Sequence, residues 1–163
     1  MSAATDTTES VKASPSIYID NEEFPIIEVR ATGDILLDVV FENTNSCNKS
    51  IPADAIRLLR ASKSPIPSAR VFYRVRLETL KKQSRYFSHL LGPNFAEGAA
   101  ITETFGRLAK LGLNPTEVAA DELPRIRIVD EDGATKTLGR ETVFRDMLSI
   151  IHGAVSLVWT VLL

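Results

Sequence analysis

A chain of 163 residues, 44 % hydrophobic and 25 % charged, has room for one globular domain with a real core and little for a second. Its 19 basic and 21 acidic residues are interspersed and leave a net charge of −2, which excludes the broad basic field that nucleic-acid binding uses. Its one cysteine, Cys47, excludes an internal disulfide, argues against a thiolate metal site and suits a reducing compartment.

Residues 1–15 mix Ser, Thr, Ala and acidic groups without the basic-then-apolar order of a signal peptide, which predicts a disordered N-terminus on an intracellular protein. Residues 16–32 follow as an extended arm, whose β-branched and aromatic residues, broken by Pro25, have the composition of edge strands. From Gly33 the pattern sharpens. Ile35, Leu37, Val39 and Phe41 alternate with Leu36, Asp38, Val40 and Glu42, the clearest strand of the first half. Residues 43–70 read as an insertion: a turn-rich start, a short helix over 53–61 introduced by Ser50 and Pro52, and an irregular Ser/Pro stretch. Asn48-Lys49-Ser50 has the form of a glycosylation acceptor, which is idle in an intracellular protein.

Between residues 71 and 97 the hydrophobic period changes from about two to about 3.6, so a strand passes into a helix. Val71, Tyr73 and Val75 mark the more buried face of the strand. One helix is then expected over 77–91, with Leu77, Leu80, Ser84, Phe87 and Leu91 on its buried stripe and Lys81, Lys82, Arg85 and His89 opposite, ending at Gly92-Pro93. A second helix is predicted over 102–111, capped by Thr102 and stopped by Gly112 and Asn114-Pro115. A third strand, residues 125–132, sets Ile126 and Ile128 on one face and turns at Asp132-Gly133. The last helix, 139–153, carries Val143, Phe144, Met147, Leu148 and Ile151 on one side and Gly153 as its C′ residue. Burying four or five such side chains is worth roughly 1.5–3 kcal/mol each before entropy. The apolar run 154–163 is about half as long as a helix that crosses a bilayer, so no membrane span is predicted.

Reactive chemistry leaves little trace. The chain has no G-x-x-x-x-G-K-S/T phosphate loop, no G-x-G-x-x-G after a strand, no G-x-S-x-G elbow and no H-E-x-x-H. Of its two histidines, His89 falls on a polar helix face, and His152 falls in a last helical turn, where a cation suits the dipole. Ser84 has no base within reach of its sequence neighbourhood and reads as a packing serine satisfied by the Leu80 carbonyl. The run Asp130-Glu131-Asp132 reads as a solvated strand end. No catalytic residue, metal ligand or cofactor site is predicted.

Leu80-x-x-x-Ser84-x-Tyr86-Phe87, followed by Gly92, Phe95 and Glu97, resembles the strand-following helix of the BTB/POZ domain. Asp38-Val39-Val40-Phe41 looks like that family's first strand, Ile126-x-Ile128-x-Asp130 like its third, and Val143-Phe144-x-x-Met147-Leu148-x-x-Ile151-His152-Gly153 like the helix after it. The resemblance covers residues 33–153 and is nearest to the insertion-bearing BTB proteins of fungi. It departs in three places: Arg76 stands where the family usually has histidine, residues 43–70 replace a hairpin, and the apolar tail 154–163 stands where further helices would continue, as a native cap on the core or a truncated C-terminus.

The resemblance implies an α+β fold, a small three-stranded mixed sheet packed against a cluster of α-helices. It also implies a non-enzymatic protein–protein interaction module that oligomerises or recruits a partner, in the cytoplasm or nucleus. In cullin-binding members an apolar-x-Glu triplet engages the cullin, and Phe95-Ala96-Glu97 stands at that place, so Phe95 and Glu97 are the expected partner-binding residues of a ubiquitin-ligase adaptor. The alternatives are a small enzyme of unrecognised type or a partial, non-functional domain.

Overall fold

Apolar side chains on both faces of one segment put that segment in the interior of a sheet, away from its edges. This is strand β3 (Ile35–Glu42), in which every residue from Ile35 to Phe41 is buried. A computed structural model of the protein describes residues 15–42, 53–64, 68–130 and 140–153. Cys47, the Asn48 acceptor triplet, the Asp132-Gly133 turn and the tail 154–163 lie outside the described residues. On one side β3 pairs antiparallel with β4 (Ser68–Val75) over eight residues, and on the other it pairs parallel with β5 (Arg125–Asp130).

Among the described residues the sheet has five strands where three were expected, because residues 16–28 form a hairpin that joins it. β1 (Ser16–Ile19) and β2 (Glu22–Glu28) are connected by Asp20 and Asn21, whose φ values of 52° and 66° are both left-handed. A two-residue turn of that hand matches the twist of antiparallel strands, and Asp and Asn tolerate it better than other non-glycine residues. Ile26, Ile27 and Glu28 then pair parallel with β4, giving the order β1-β2-β4-β3-β5. Pro25 precedes the first of these pairs, so its missing N–H removes no bond from that ladder. The expected segment 43–70 is also shorter than it reads, since β4 begins at Ser68, while its helix α1 (Ala53–Ala61) falls where predicted.

The remaining α-helices among the described residues are α2 (Leu77–Gln83), α3 (Arg85–Leu90), α4 (Ala96–Lys110) and α5 (Arg140–Ile151). One core packs Leu37, Val39, Phe41, Tyr73 and Val75 of the sheet against Leu80, Phe87 and Leu148 of the helices. A second core on the opposite face gathers Ile17, Ile26, Leu36 and Phe72 with Leu108, Val118 and Leu123. α4 contributes to both, through Ile101 to the first and Leu108 to the second.

Two helix boundaries differ from expectation, at Ser84 and at Thr102. The helix over 77–91 is divided at Ser84, which is extended at φ −133° and ψ 119°. Its N–H donates to the Leu80 carbonyl at 3.0 Å and closes α2, while its Oγ accepts the Phe87 N–H at 3.3 Å and caps α3. Ser84 is therefore a cap between two helices and not a packing residue inside one. Thr102, expected to cap, lies inside α4 and donates its hydroxyl to the Gly98 carbonyl at 3.0 Å, since the helix already starts at Ala96. Asp34 supplies a cap from outside the helix: its Oδ1 accepts the Leu77 N–H at 2.8 Å and ties α2 to the approach to β3. Gly112 and Gly153, with φ of 70° and 65°, follow α4 and α5 as C′ residues, as their positions predict.

α5 sits on the sheet by a narrower stripe than its periodicity suggests. Phe144 meets Phe41 at 5.8 Å and Tyr73 at 5.2 Å between ring centroids, and Leu148 is fully buried. Val143, Met147 and Ile150 stay exposed.

His152 is the clearest correction among the charged residues. It is buried: its Nε2 accepts the Arg76 N–H at 3.1 Å, and Nδ1 lies 2.8 Å from the Leu148 carbonyl. That pattern requires a neutral ring with the proton on Nδ1. Arg30 binds the carbonyl of the same residue. Burial chiefly, helped by the charges of Arg30 and Arg76, holds the His152 pKa below its usual 6.5. The unfolded chain then binds a proton that the folded chain refuses, so this residue's stabilising contribution is complete above pH 6.5 and is lost as pH falls through the folded pKa. Urea midpoints measured from about pH 8 down to about pH 5 should decline in the wild type and decline less in His152→Gln. Equal slopes in the two proteins would contradict this role.

Candidate functional site

Alternate residues of a short helix can face opposite media, and α3 uses this. Phe87 points into the core at 2 % exposure, which turns its neighbour Tyr86 outward at 60 %. The two rings meet edge to face at 5.2 Å. Beside Tyr86, Leu90 and Phe95 complete the apolar part of an open groove of about 520 Å³, with Arg85 and His89 as its polar members.

Phe95 reaches the groove because the chain turns sharply between α3 and α4. Its N–H donates to the Gly92 carbonyl at 3.3 Å, and its own carbonyl accepts the Ala99 N–H at 3.1 Å as α4 begins. Gly98 makes the turn this tight: a Cβ there would lie 1.9 Å from the Gly92 oxygen. Held so, Phe95 remains 40 % exposed, and its ring packs against His89 at 5.0 Å and 61°.

A second hollow of about 300 Å³ adjoins the groove and shares Arg85 and His89 with it. Lys81 and Lys82, from the last turn of α2, add their charge to that of Arg85 in this hollow. Among the described residues none of Lys81, Lys82 and Arg85 forms an ion pair.

Of the two contact residues expected from sequence, Phe95 lies in the groove and Glu97 does not line it. Glu97 is half-buried in the first turn of α4, where a carboxylate suits the helix dipole. Sequence reasoning missed Tyr86 and Leu90 and set His89 aside as a solvated residue. The available signal was Tyr86, a large aromatic that falls off the stripe of Leu77, Leu80, Phe87 and Leu91.

The most deeply paired charges serve the sheet. Asp38, 5 % exposed, accepts two bonds from Arg70 at 2.8 and 2.6 Å, with Arg127 3.8 Å away. The Arg70 guanidinium also lies over Phe24 and Phe72, 5.3 and 5.0 Å from their ring centres, and its bonds to Asp38 raise its pKa. This cluster joins β2, β3, β4 and β5. Among the described residues no three His, Cys, Asp or Glu side chains stand together as metal ligands would, and no helix is long and apolar enough to cross a membrane. What the surface of α2 and α3 offers is exposed aromatic area beside unpaired positive charge. No protein-family model matches this chain, and no curated protein or solved structure matches it either.

Proposed function

We propose that the protein is a non-enzymatic interaction module of BTB/POZ type that recruits another protein through the Tyr86, Leu90 and Phe95 groove. The observation that carries this reading is the joint exposure of Tyr86 and Phe95, at 60 % and 40 %, around one hollow. Large aromatic side chains held rigidly at a concave surface are the usual anchors of protein contacts, because little entropy is lost when a partner covers them. The sheet is compatible with the family resemblance. The segments matched to its first and third strands, β3 and β5, are parallel neighbours, and the strand that follows the 43–67 segment pairs antiparallel with β3.

A ubiquitin-ligase adaptor is the specific form of this reading, favoured by the exposure of Phe95 at the start of α4. Purified cullin should be retained by the immobilised chain, and Phe95→Ala should weaken retention by about tenfold or more without changing the unfolding midpoint. Glu97→Ala should weaken it less, since Glu97 does not line the groove. No retention by the wild type removes the adaptor. If sedimentation also shows a monomer up to tens of micromolar, self-association goes with it, and recruitment of a different partner is what remains of the proposal.

A further inference from the structure

We infer that the partner segment received by this surface is an acidic peptide carrying one large apolar anchor. The inference rests on the reading of the groove as a protein contact and names the chemistry of what enters it.

The apolar groove and the basic hollow are one continuous surface, because Arg85 and His89 line both. Tyr86, Leu90 and Phe95 can enclose one side chain, while Lys81, Lys82 and Arg85 lie to one side of it. Among the described residues no carboxylate lines either hollow. The chain as a whole is slightly acidic at −2, so three unpaired cations on one short stretch are a local reversal of its charge. Lys81 and Lys82 can be explained by the C-terminal dipole of α2. Arg85 stands between the C-terminus of α2, which favours a cation, and the N-terminus of α3, which disfavours one, so helix dipoles give no net reason for it. A positive side chain that has no ion pair among the described residues and lies beside exposed aromatics fits a partner that brings the missing carboxylates. The patch spans one and a half short helices, which suits a peptide segment better than an extended polyanion.

The test is fluorescence anisotropy of the full chain with short labelled peptides. The first carries a central phenylalanine flanked by Asp and Glu, the second has alanine at the centre, and the third keeps the phenylalanine but has Lys in the flanks. The acidic phenylalanine peptide should bind best, and each of the others should bind about tenfold or more weakly. Salt should weaken the first complex. Tyr86→Ala should reduce binding of both phenylalanine peptides. Lys82→Glu with Arg85→Glu, both at exposed positions, should reverse the preference between acidic and basic flanks.

The failures are distinguishable. If both phenylalanine peptides bind equally and both depend on Tyr86, the acidic partner is overturned and the protein-contact reading of the groove stands. If no peptide shows binding that depends on Tyr86, both are overturned. If the acidic peptides bind regardless of their central residue and inorganic polyphosphate displaces them, the surface is a general anion site and the inference is overturned.

Discussion

Gly98→Ala should destabilise the protein by about 2 kcal/mol or more, although alanine is the better helix former. A Cβ at this position would stand 1.9 Å from the Gly92 oxygen, 2.6 Å from the Gly92 carbonyl carbon and 2.9 Å from the Leu91 oxygen. All three are backbone atoms, which cannot rotate aside as a side chain could. The start of α4 would have to move away from the end of α3, and the contacts of Ile101 with the first core would loosen with it. Helix propensity opposes this loss with a gain of about 1 kcal/mol, so the steric term decides the sign. Gly106 is the matched control. It lies in the same helix, and a methyl group added there would meet nothing within 4 Å, so Gly106→Ala should raise stability by about 0.5–1 kcal/mol. Urea unfolding of the two variants beside the wild type measures both signs. A stabilised Gly98→Ala protein would show that the close approach of α3 and α4 is not maintained in solution. The same variant should also weaken the peptide binding proposed for the groove, because Phe95 owes its place there to that turn.

Much of the architecture was legible because its signal is local. The period-two run from Ile35 to Phe41 and the alternation of Ile126 and Ile128 each gave a strand, and Gly112 and Gly153 marked helix ends by the φ they can adopt. Other features depend on partners distant in the chain. Residues 16–28 read as an arm because nothing near them shows that Ile26 to Glu28 will lie against Phe72 to Arg74. His152 read as an outward cation because the N–H that its ring accepts comes from Arg76, far away in sequence, and nothing local showed that Arg74 would find its acceptors at Gly33 and Val118. Val143 and Met147 read as core because periodicity marks a helix face without saying how much of it the sheet is wide enough to cover. At the candidate site Phe95 was expected from the family resemblance, as the apolar member of the Phe95-Ala96-Glu97 triplet, whereas Tyr86 was passed over although it falls off the stripe that carries Phe87.

Arg74→Met should cost about 2–4 kcal/mol, the other large effect expected of a single substitution. Arg74 is 7 % exposed on the face of β4 that carries the second core, beside Leu36 and Phe72. Its Nε donates to the Gly33 carbonyl at 2.9 Å and its Nη2 to the Val118 carbonyl at 3.0 Å. Its own carbonyl accepts the N–H groups of Val29 and Arg30 at 3.1 and 3.2 Å. One residue thus ties β4 to the turn before β3 and to the segment that follows α4. Two effects compete when the guanidinium is removed. Methionine fills most of the stem's volume and ends the cost of desolvating a charge, which by itself would favour the variant. Against this, the two carbonyls stay buried and lose charged donors worth roughly 1.5–3 kcal/mol each. The donors outweigh the charge, because only one side of each interaction has been replaced by an apolar group. Arg74→Lys separates the contributions: it keeps the charge, but its single ammonium cannot reach both carbonyls in the fork geometry of a guanidinium, so it should fall between methionine and wild type. Urea midpoints give the order, and amide exchange should show faster opening around Val118 than around Leu37 in both variants. A methionine variant as stable as the wild type would mean that desolvation of the cation cancels both bonds. Arg74 would then set the geometry of the fold without adding to its stability.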